Sequence, residues 1–252
     1  MAMYTLKKSL GQHFLKDEGV SQKIVTALGE RPFQRLLEVG PGGGALTKYL
    51  VRLEGVDFKA VELDDEKVTY LEATYPVLKK KLIRGDILEI PAPWDAPFTL
   101  VGNFPYNISS QILFRVLEWK DLTETVVGMF QKEVAQRVAA REGSKTYGIL
   151  SVLVQTFFHV EYLFEVGEEA FVPPPKVKSA VIRLVPREDI PPFRSETHLR
   201  RLVKTAFNQR RKMLRNAVKG IFPPEVLTDP LFDKRAEQLS VAEFARLTHR
   251  MS

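Results

Sequence analysis

The sequence contains no cysteine and only four histidines. Without cysteine there can be neither a disulfide framework nor a thiolate metal site. His13, His159, His198 and His249 are scattered along the chain and do not have the spacing of metal ligands. We therefore expect no catalytic metal.

Long hydrophobic runs are also missing. No stretch of about eighteen apolar residues occurs, and the N-terminal region lacks the basic and apolar segments of a signal peptide. Hydrophobic residues nevertheless make up 44% of the 252 residues, which is enough for a buried core. We expect a soluble, cytoplasmic protein that has no membrane partner and acts as a monomer.

Negative charge is scarce in one region of the chain. The whole sequence has 37 Lys and Arg against 31 Asp and Glu, but between residues 194 and 219 nine basic residues accompany one acidic residue, Glu196. Such a patch could neutralise the phosphates of a nucleic acid, although a solvated helix face is the usual explanation for it. The residues that we expect to contact phosphates are Lys204, Arg210, Arg211, Lys212 and Arg215.

Strand-like and helix-like segments alternate in the first two thirds of the chain. Short apolar runs predict strands at residues 35–39, 58–62, 81–83, 98–101, 125–129 and 179–185. Helical spacing occurs at residues 45–52, 66–73, 109–119 and 132–141. This alternation is typical of a doubly wound parallel sheet, to which residues 157–166 could add an antiparallel pairing at one edge.

The pattern changes after residue 186. Residues 186–192 carry three prolines and three charges, which indicates a linker. Beyond them the apolar residues from Leu199 to Ile221 keep helical spacing. We therefore predict two domains, residues 1–187 and a small helical domain at residues 188–252.

A glycine-rich segment, residues 38–45, follows the first predicted core strand and opens a helix. Gly40, Gly42 and Ala45 satisfy a dinucleotide-binding pattern, and Glu62 lies at a suitable distance to accept the hydroxyls of a ribose. Glycine spacing alone leaves a nicotinamide dehydrogenase and an S-adenosylmethionine enzyme both open.

Two acidic residues favour S-adenosyl-L-methionine. Glu38 immediately precedes the glycines, and Asp86 closes a turn after the third predicted strand. A cationic sulfonium ligand tolerates acidic neighbours better than a pyrophosphate does. Asp86 could also accept a hydrogen bond from an adenine amino group.

The segment Asn103, Phe104, Pro105, Tyr106 follows the fourth strand, at the sheet edge where ligands of such folds bind. The Asn103 side-chain oxygen and the Phe104 carbonyl could accept the two N–H bonds of an exocyclic amine, with Pro105 holding the turn. Tyr106 offers a ring on which a base could stack. This arrangement predicts methylation of an adenine amine in either DNA or RNA.

The sequence resembles the ribosomal RNA adenine N6,N6-dimethyltransferases, and most closely the bacterial small-subunit members of that family. The resemblance covers nearly the whole chain. It rests on residues 8–15, 38–47, 61–64, 102–109, 131–134, 144–148, 171–179 and 207–212.

The resemblance implies a Rossmann-like class I methyltransferase fold in residues 1–187. Its α/β sheet would be mostly parallel, with seven strands and one antiparallel edge strand. A small all-helical RNA-binding domain would follow.

The resemblance also implies specific roles for residues. Tyr106 and Phe171 would sandwich the target base, although the segment around Phe171 alone also reads as a plain connector. Two positions depart from the common family pattern, since His13 replaces a frequent asparagine and Phe104 a frequent leucine. The cofactor pocket would include Gln12, His13, Leu15, Glu38, Gly40, Gly42, Glu62, Asp86 and Asn103.

The expected substrate is a pair of adjacent adenosines in a hairpin near the 3′ end of small-subunit ribosomal RNA, presented by the immature small subunit. A large-subunit dimethylase of the macrolide-resistance type and a non-enzymatic assembly factor are the alternatives. The segment from Phe207 to Lys212 and the full-length match of the C-terminal region favour the small-subunit enzyme.

Overall fold

The computed structural model describes residues 13–252, so predictions for Gln12 and the residues before it lie outside the described part. Two compact units are present. The first contains the described residues up to Ala135 together with Glu161–Pro186, and the second contains Gln136–Val160 and Arg187–Ser252. The predicted border after residue 187 lies one residue beyond the border between Pro186 and Arg187, and residues 136–160, which the prediction places in the first domain, belong to the second unit.

The described residues form nine strands and nine α-helices. The strands are β1 (Phe14–Leu15), β2 (Arg35–Val39), β3 (Asp57–Glu62), β4 (Leu82–Arg84), β5 (Phe98–Asn103), β6 (Thr123–Gln131), β7 (Phe158–Val166), β8 (Phe171–Val172) and β9 (Ser179–Pro186). The helices are α1 (Glu18–Gly29), α2 (Thr47–Leu50), α3 (Asp65–Thr74), α4 (Ser109–Glu118), α5 (Lys132–Ala139), α6 (Ile149–Phe157), α7 (Glu196–Asn208), α8 (Leu214–Ala217) and α9 (Val241–Leu247).

Seven of these strands form one sheet in the order β4-β3-β2-β5-β6-β9-β7. The pairings among β4, β3, β2, β5 and β6 are parallel, whereas β9 runs antiparallel to β6. This confirms the predicted, mostly parallel seven-stranded sheet with its antiparallel pairing on one side. Strands β1 and β8 form a separate antiparallel pair in which Leu15 lies opposite Phe171.

The central strands are mostly apolar and almost entirely buried. In β2, Leu36, Leu37 and Val39 are all buried, and β5 is buried from Phe98 to Gly102. Such strands read as continuous apolar runs rather than alternating ones. Because β2 pairs in parallel with both β3 and β5, the carboxyl ends of these three strands meet at one edge of the sheet.

The second unit is built from helices. Helices α6, α7 and α9 contact one another, and their buried apolar residues include Leu153, Leu202 and Phe244. The Ser195 side chain caps α7 by accepting a hydrogen bond from the His198 N–H at 3.3 Å. Helix α6, which the sequence did not indicate, is the element that brings residues 136–160 into this unit.

Two helix predictions were longer than the helices observed. The predicted helix at 45–52 is α-helical only in α2, because Arg52 and Leu53 bond three residues back, to Tyr49 and Leu50. The helical spacing from 199 to 221 is interrupted between α7 and α8, where residues 209–213 turn and Met213 bridges Arg235. No helix within residues 13–252 is long and apolar enough to cross a membrane.

Candidate active site

A cavity of about 270 Å³ lies in the first unit, at the carboxyl ends of β2, β3 and β5. Ligands of open α/β sheets bind at this edge. The predicted site residues that line the cavity are His13, Leu15, Glu38, Gly40, Gly42, Glu62, Asn103, Phe104, Pro105 and Tyr106. The sheet therefore brings together residues that are far apart in the chain, from His13 to Tyr106.

The Glu62 carboxylate is held between the glycine loop and the start of α3. Its Oε2 accepts a hydrogen bond from the Gly42 N–H at 3.1 Å, and its Oε1 accepts from Leu63 N at 3.0 Å and Asp64 N at 3.1 Å. A carboxylate has about four acceptor sites, so one or more remain for a ligand in the cavity. The predicted acceptor is thus present and rigidly oriented.

The glycine loop adopts a backbone conformation that side chains disfavour. Gly44 has φ +85°, and a Cβ there would lie 2.8 Å from Cε2 of the Tyr75 ring. Gly42 has φ +56°, and a Cβ there would lie 3.3 Å from the Phe14 ring. Both backbone strain and lack of space therefore require glycine at Gly44.

Glu38 lies at the base of the cavity and is 1% exposed. Its Oε2 accepts a hydrogen bond from Thr47 Oγ1 at 2.7 Å. Burial, opposed by the Thr47 hydrogen bond and reinforced by the nearby Glu62 charge, raises the pKa of Glu38 to about 8. A cationic ligand group in the cavity would favour the ionised carboxylate.

Asn103, the last residue of β5, is oriented by a backbone group. Its Nδ2 donates a hydrogen bond to the His13 carbonyl oxygen at 3.2 Å. This bond fixes the orientation of the amide, and the side-chain oxygen, its only acceptor, is the group that can receive a substrate N–H. The acceptor predicted from the sequence is therefore preset by the N-terminal segment.

The Phe104 ring points away from solvent and is 1% exposed. It packs against Phe130, with 4.9 Å between ring centroids, in space left free by Gly102 and Gly128. Pro105 follows, and its carbonyl accepts a hydrogen bond from Ser109 Oγ at 3.0 Å. The turn that carries the predicted carbonyl acceptor is thus anchored at both ends.

Tyr106 lines the cavity and is held by two contacts. Its hydroxyl forms a hydrogen bond with the Ser179 hydroxyl, and its ring lies 5.4 Å from the His13 ring, centroid to centroid. His13 Nδ1 is in turn 2.9 Å from the Pro173 carbonyl oxygen. Burial raises the pKa of Tyr106, so the phenol stays protonated near neutral pH.

Two predicted site residues do not reach the cavity. Phe171 is 1% exposed, belongs to the hydrophobic core and pairs with Leu15, but it is not among the residues that line the cavity. Its predicted role as a second wall for the base stays a prediction, with Phe171 lying beside the cavity-lining residue Leu15. Asp86 caps a turn instead, since its Oδ1 accepts from Leu88 N at 2.9 Å, and it does not line the cavity.

The predicted phosphate-binding residues all lie in the second unit but differ in their surroundings. Arg210 donates to the Ser144 carbonyl at 3.2 Å and lies 3.6 Å from Glu237, and Arg215 pairs with Asp233. Lys204, Arg211 and Lys212 are exposed and form no salt bridge with any residue in the range 13–252. These three are the ones available to an external anion.

Several residues at the site were not predicted. Lys48, Lys67 and Tyr75 line the cavity, and Ser179 holds Tyr106. No local sequence pattern identifies Lys48, Lys67 and Tyr75 as site residues, because they lie in helices or turns where the same spacing would suit ordinary surface or core positions. Ser179 belongs to one of the segments that resemble the family, but the sequence does not reveal its contact with Tyr106, which is 73 residues away in the chain.

The fold and the cavity at the carboxyl edge of the sheet define a Rossmann-like methyltransferase. The chain belongs to the ribosomal RNA adenine dimethylase family, whose model matches residues 3–252.

Named relatives are similar over almost their whole length. The ribosomal RNA small subunit methyltransferase A of Cytophaga hutchinsonii is 50% identical over 250 residues, covering 98% of this chain and 97% of the relative. The protein of the same name from Bacteroides fragilis is 51% identical and covers 100% and 94%.

Solved structures agree with this assignment. A dimethyladenosine transferase from Plasmodium falciparum has a TM-score of 0.77 and 26% identity, with 93% of this chain and 96% of that chain covered. The 23S rRNA methyltransferase ErmE has a TM-score of 0.73 and 24% identity, covering 94% and 99%, and supports the fold alone.

Proposed function

We propose that this protein transfers methyl groups from S-adenosyl-L-methionine to N6 of two adjacent adenosines near the 3′ end of small-subunit ribosomal RNA. The observation that carries the proposal is the preset Asn103 oxygen at a cavity whose floor is the glycine loop and Glu62. Relatives named small-subunit methyltransferases at about half identity support the choice of RNA.

The lining of the cavity fits the methyl donor. Glu62 retains acceptor capacity for ribose hydroxyls, and Gly40 and Gly42 allow close approach of the backbone. Glu38 suits a ligand that carries positive charge. When bound, S-adenosyl-L-methionine supplies a methyl group on a sulfonium, which makes that carbon electrophilic.

The residues of the segment 103–106 would act on the target base. An exocyclic adenine amine is a weak nucleophile because its lone pair is delocalised into the ring. The Asn103 oxygen and the Phe104 carbonyl would accept hydrogen bonds from the N–H groups of this amine, which would return electron density to its nitrogen. Tyr106 would stack on the base and hold the amine in line with the methyl carbon. Correct positioning of these two groups accelerates the transfer.

The second unit would supply affinity for the RNA backbone. Lys204, Arg211 and Lys212 are exposed cations without internal salt-bridge partners among the described residues, and phosphate contacts of this kind position a protein without reading sequence. The target adenosine would be turned out of its stack to reach the cavity. We place this activity in the cytoplasm, on the immature small subunit, with the protein acting as a monomer.

The test is mass-spectrometric mapping of N6-dimethyladenosine after incubation of the protein and S-adenosyl-L-methionine with immature small subunits. Dimethylation of two adjacent adenosines is expected, and naked large-subunit RNA should remain unmodified. The reverse preference would identify a large-subunit enzyme instead.

The variant Asn103→Ala separates catalysis from a purely structural role in assembly. Its methylation rate should fall by about a hundredfold or more, since the acceptor for the amine is gone. A non-enzymatic assembly factor would instead support subunit maturation equally well with Asn103→Ala, which maturation profiles on sucrose gradients would reveal.

A further inference from the structure

Ser179 is a buried hydroxyl at the start of a largely apolar strand. It is the first residue of β9, lies opposite Gln131 of β6, and is 0% exposed. The residues that follow it, Ala180, Val181 and Ile182, are fully buried and apolar. A hydroxyl in such surroundings is costly unless it finds a hydrogen-bond partner.

The partner of Ser179 is the hydroxyl of Tyr106. Ser179 does not line the cavity, whereas the Tyr106 ring does. The serine therefore touches the ring from outside the site and anchors its far end to the sheet.

The other contact of Tyr106 involves the same segment of chain. The His13 ring packs beside the Tyr106 ring, and its Nδ1 lies 2.9 Å from the Pro173 carbonyl. Residues 173–179 thus meet the surroundings of Tyr106 at both of their ends. A ring braced at its edge and beside its face has little freedom to turn.

We propose that Ser179 is a positioning residue that fixes the Tyr106 ring in the orientation required to stack on the target adenine, an inference that rests on the proposed function. Methyl transfer requires nitrogen, methyl carbon and sulfur to be in line, and a small misplacement of the base costs a large part of the rate. The hydroxyl bond transmits the rigidity of strands β6 and β9 to the ring.

The experiment is a double-mutant cycle on the full-length protein with Ser179→Ala, Tyr106→Phe and both together. Each single change removes the same hydrogen bond and keeps the ring. We expect either one to lower kcat for methylation of immature small subunits by about tenfold, and the double variant to show no further loss. The dissociation constant for S-adenosyl-L-methionine, measured by calorimetry, should stay unchanged.

Ser21→Ala is the matched control. Ser21 is a buried serine of α1 whose hydroxyl bonds to the Asp17 carbonyl at 3.3 Å, outside the cavity lining. It undergoes the same chemical change and should keep wild-type kcat. Thermal melting of all variants shows whether each is folded.

Two results would overturn the inference: an unchanged kcat in Ser179→Ala, or losses that multiply in the double variant. If Ser179→Ala does not fold, Tyr106→Phe decides, because it breaks the bond without altering β9, and full activity in that variant would reject the idea. If the wild-type protein does not methylate small subunits at all, the proposed function fails instead.

Discussion

Phe104 has two separate roles at the scale of a single residue. Its carbonyl belongs to the proposed amine site, while its ring fills a space between Gly102 and Gly128 and packs on Phe130. Because the proposed amine site uses only the carbonyl of Phe104, the substitution Phe104→Leu would be expected to be nearly silent. The buried ring changes that expectation for stability.

We predict that Phe104→Leu lowers the free energy of unfolding by about 1–2 kcal/mol, since a buried aromatic contact is lost and a gap remains. Activity per folded molecule should change little. Urea denaturation measures the first quantity and initial rates the second. Gly128→Ala, whose Cβ would lie 2.3 Å from the Phe104 ring, should be less harmful in the Phe104→Leu background than alone. Additive effects would contradict this packing account.

Glu38 gives the protein a pH dependence of known sign. Its folded pKa is about 8, against 4.5 for an ordinary glutamate. Between these values the folded state holds a proton that the unfolded state releases, so rising pH favours unfolding. The stabilising contribution is complete below pH 4.5 and disappears as the pH rises through 8.

The corresponding variant is Glu38→Gln, which keeps an acceptor for Thr47 but cannot ionise. Relative to this variant, wild type should lose free energy of unfolding between about pH 4.5 and 8, by a few kcal/mol at most. Urea denaturation at a series of pH values measures the difference. Parallel curves for the two proteins would show that Glu38 titrates normally.

At the scale of elements, the glycine loop offers a test of strain against crowding. Gly44 and Gly55 both have positive φ, +85° and +72°, but only Gly44 faces another group, the Tyr75 ring. Gly44→Ala should therefore destabilise the protein by about 1–3 kcal/mol and weaken binding of S-adenosyl-L-methionine, whereas Gly55→Ala carries the backbone cost alone. Calorimetric affinities equal in both variants would argue against a binding role for the loop.

The strands were predictable because burial on both faces produces continuous apolar runs. The strand predicted at 35–39 matches β2 at both ends, and the other sheet strands differ by a few residues. Helices α1 and α6 were not indicated. Residues 209–213 form a turn, although the apolar spacing of this region predicts a continuous helix. Met213 pairs there with Arg235, and local spacing cannot reveal a contact between segments that are distant in the chain.

At the scale of the whole molecule, the exposed cations Lys204, Arg211 and Lys212 predict salt-dependent binding of RNA. Changing all three to alanine should weaken binding to small-subunit RNA and reduce the slope of log affinity against log salt by about 2–3. Filter binding at several salt concentrations measures this slope. A matched control changes three exposed cations of the first unit, Arg31, Lys79 and Lys80, to alanine. Equal slopes for the two triple variants would mean that only net charge matters.

The sequence by itself determined the alternating α/β order, the glycine loop and the segment at Asn103, because these depend on neighbours in the chain and on the backbone preferences of glycine and proline. Only the tertiary structure decided that His13 orients Asn103, that Ser179 holds Tyr106, and that Phe171 is in the core. These outcomes depend on contacts between segments 73 to 90 residues apart, or on which face of a short strand is covered. No local pattern encodes such contacts, since the same residue types serve equally well at the surface, in the core or at a site.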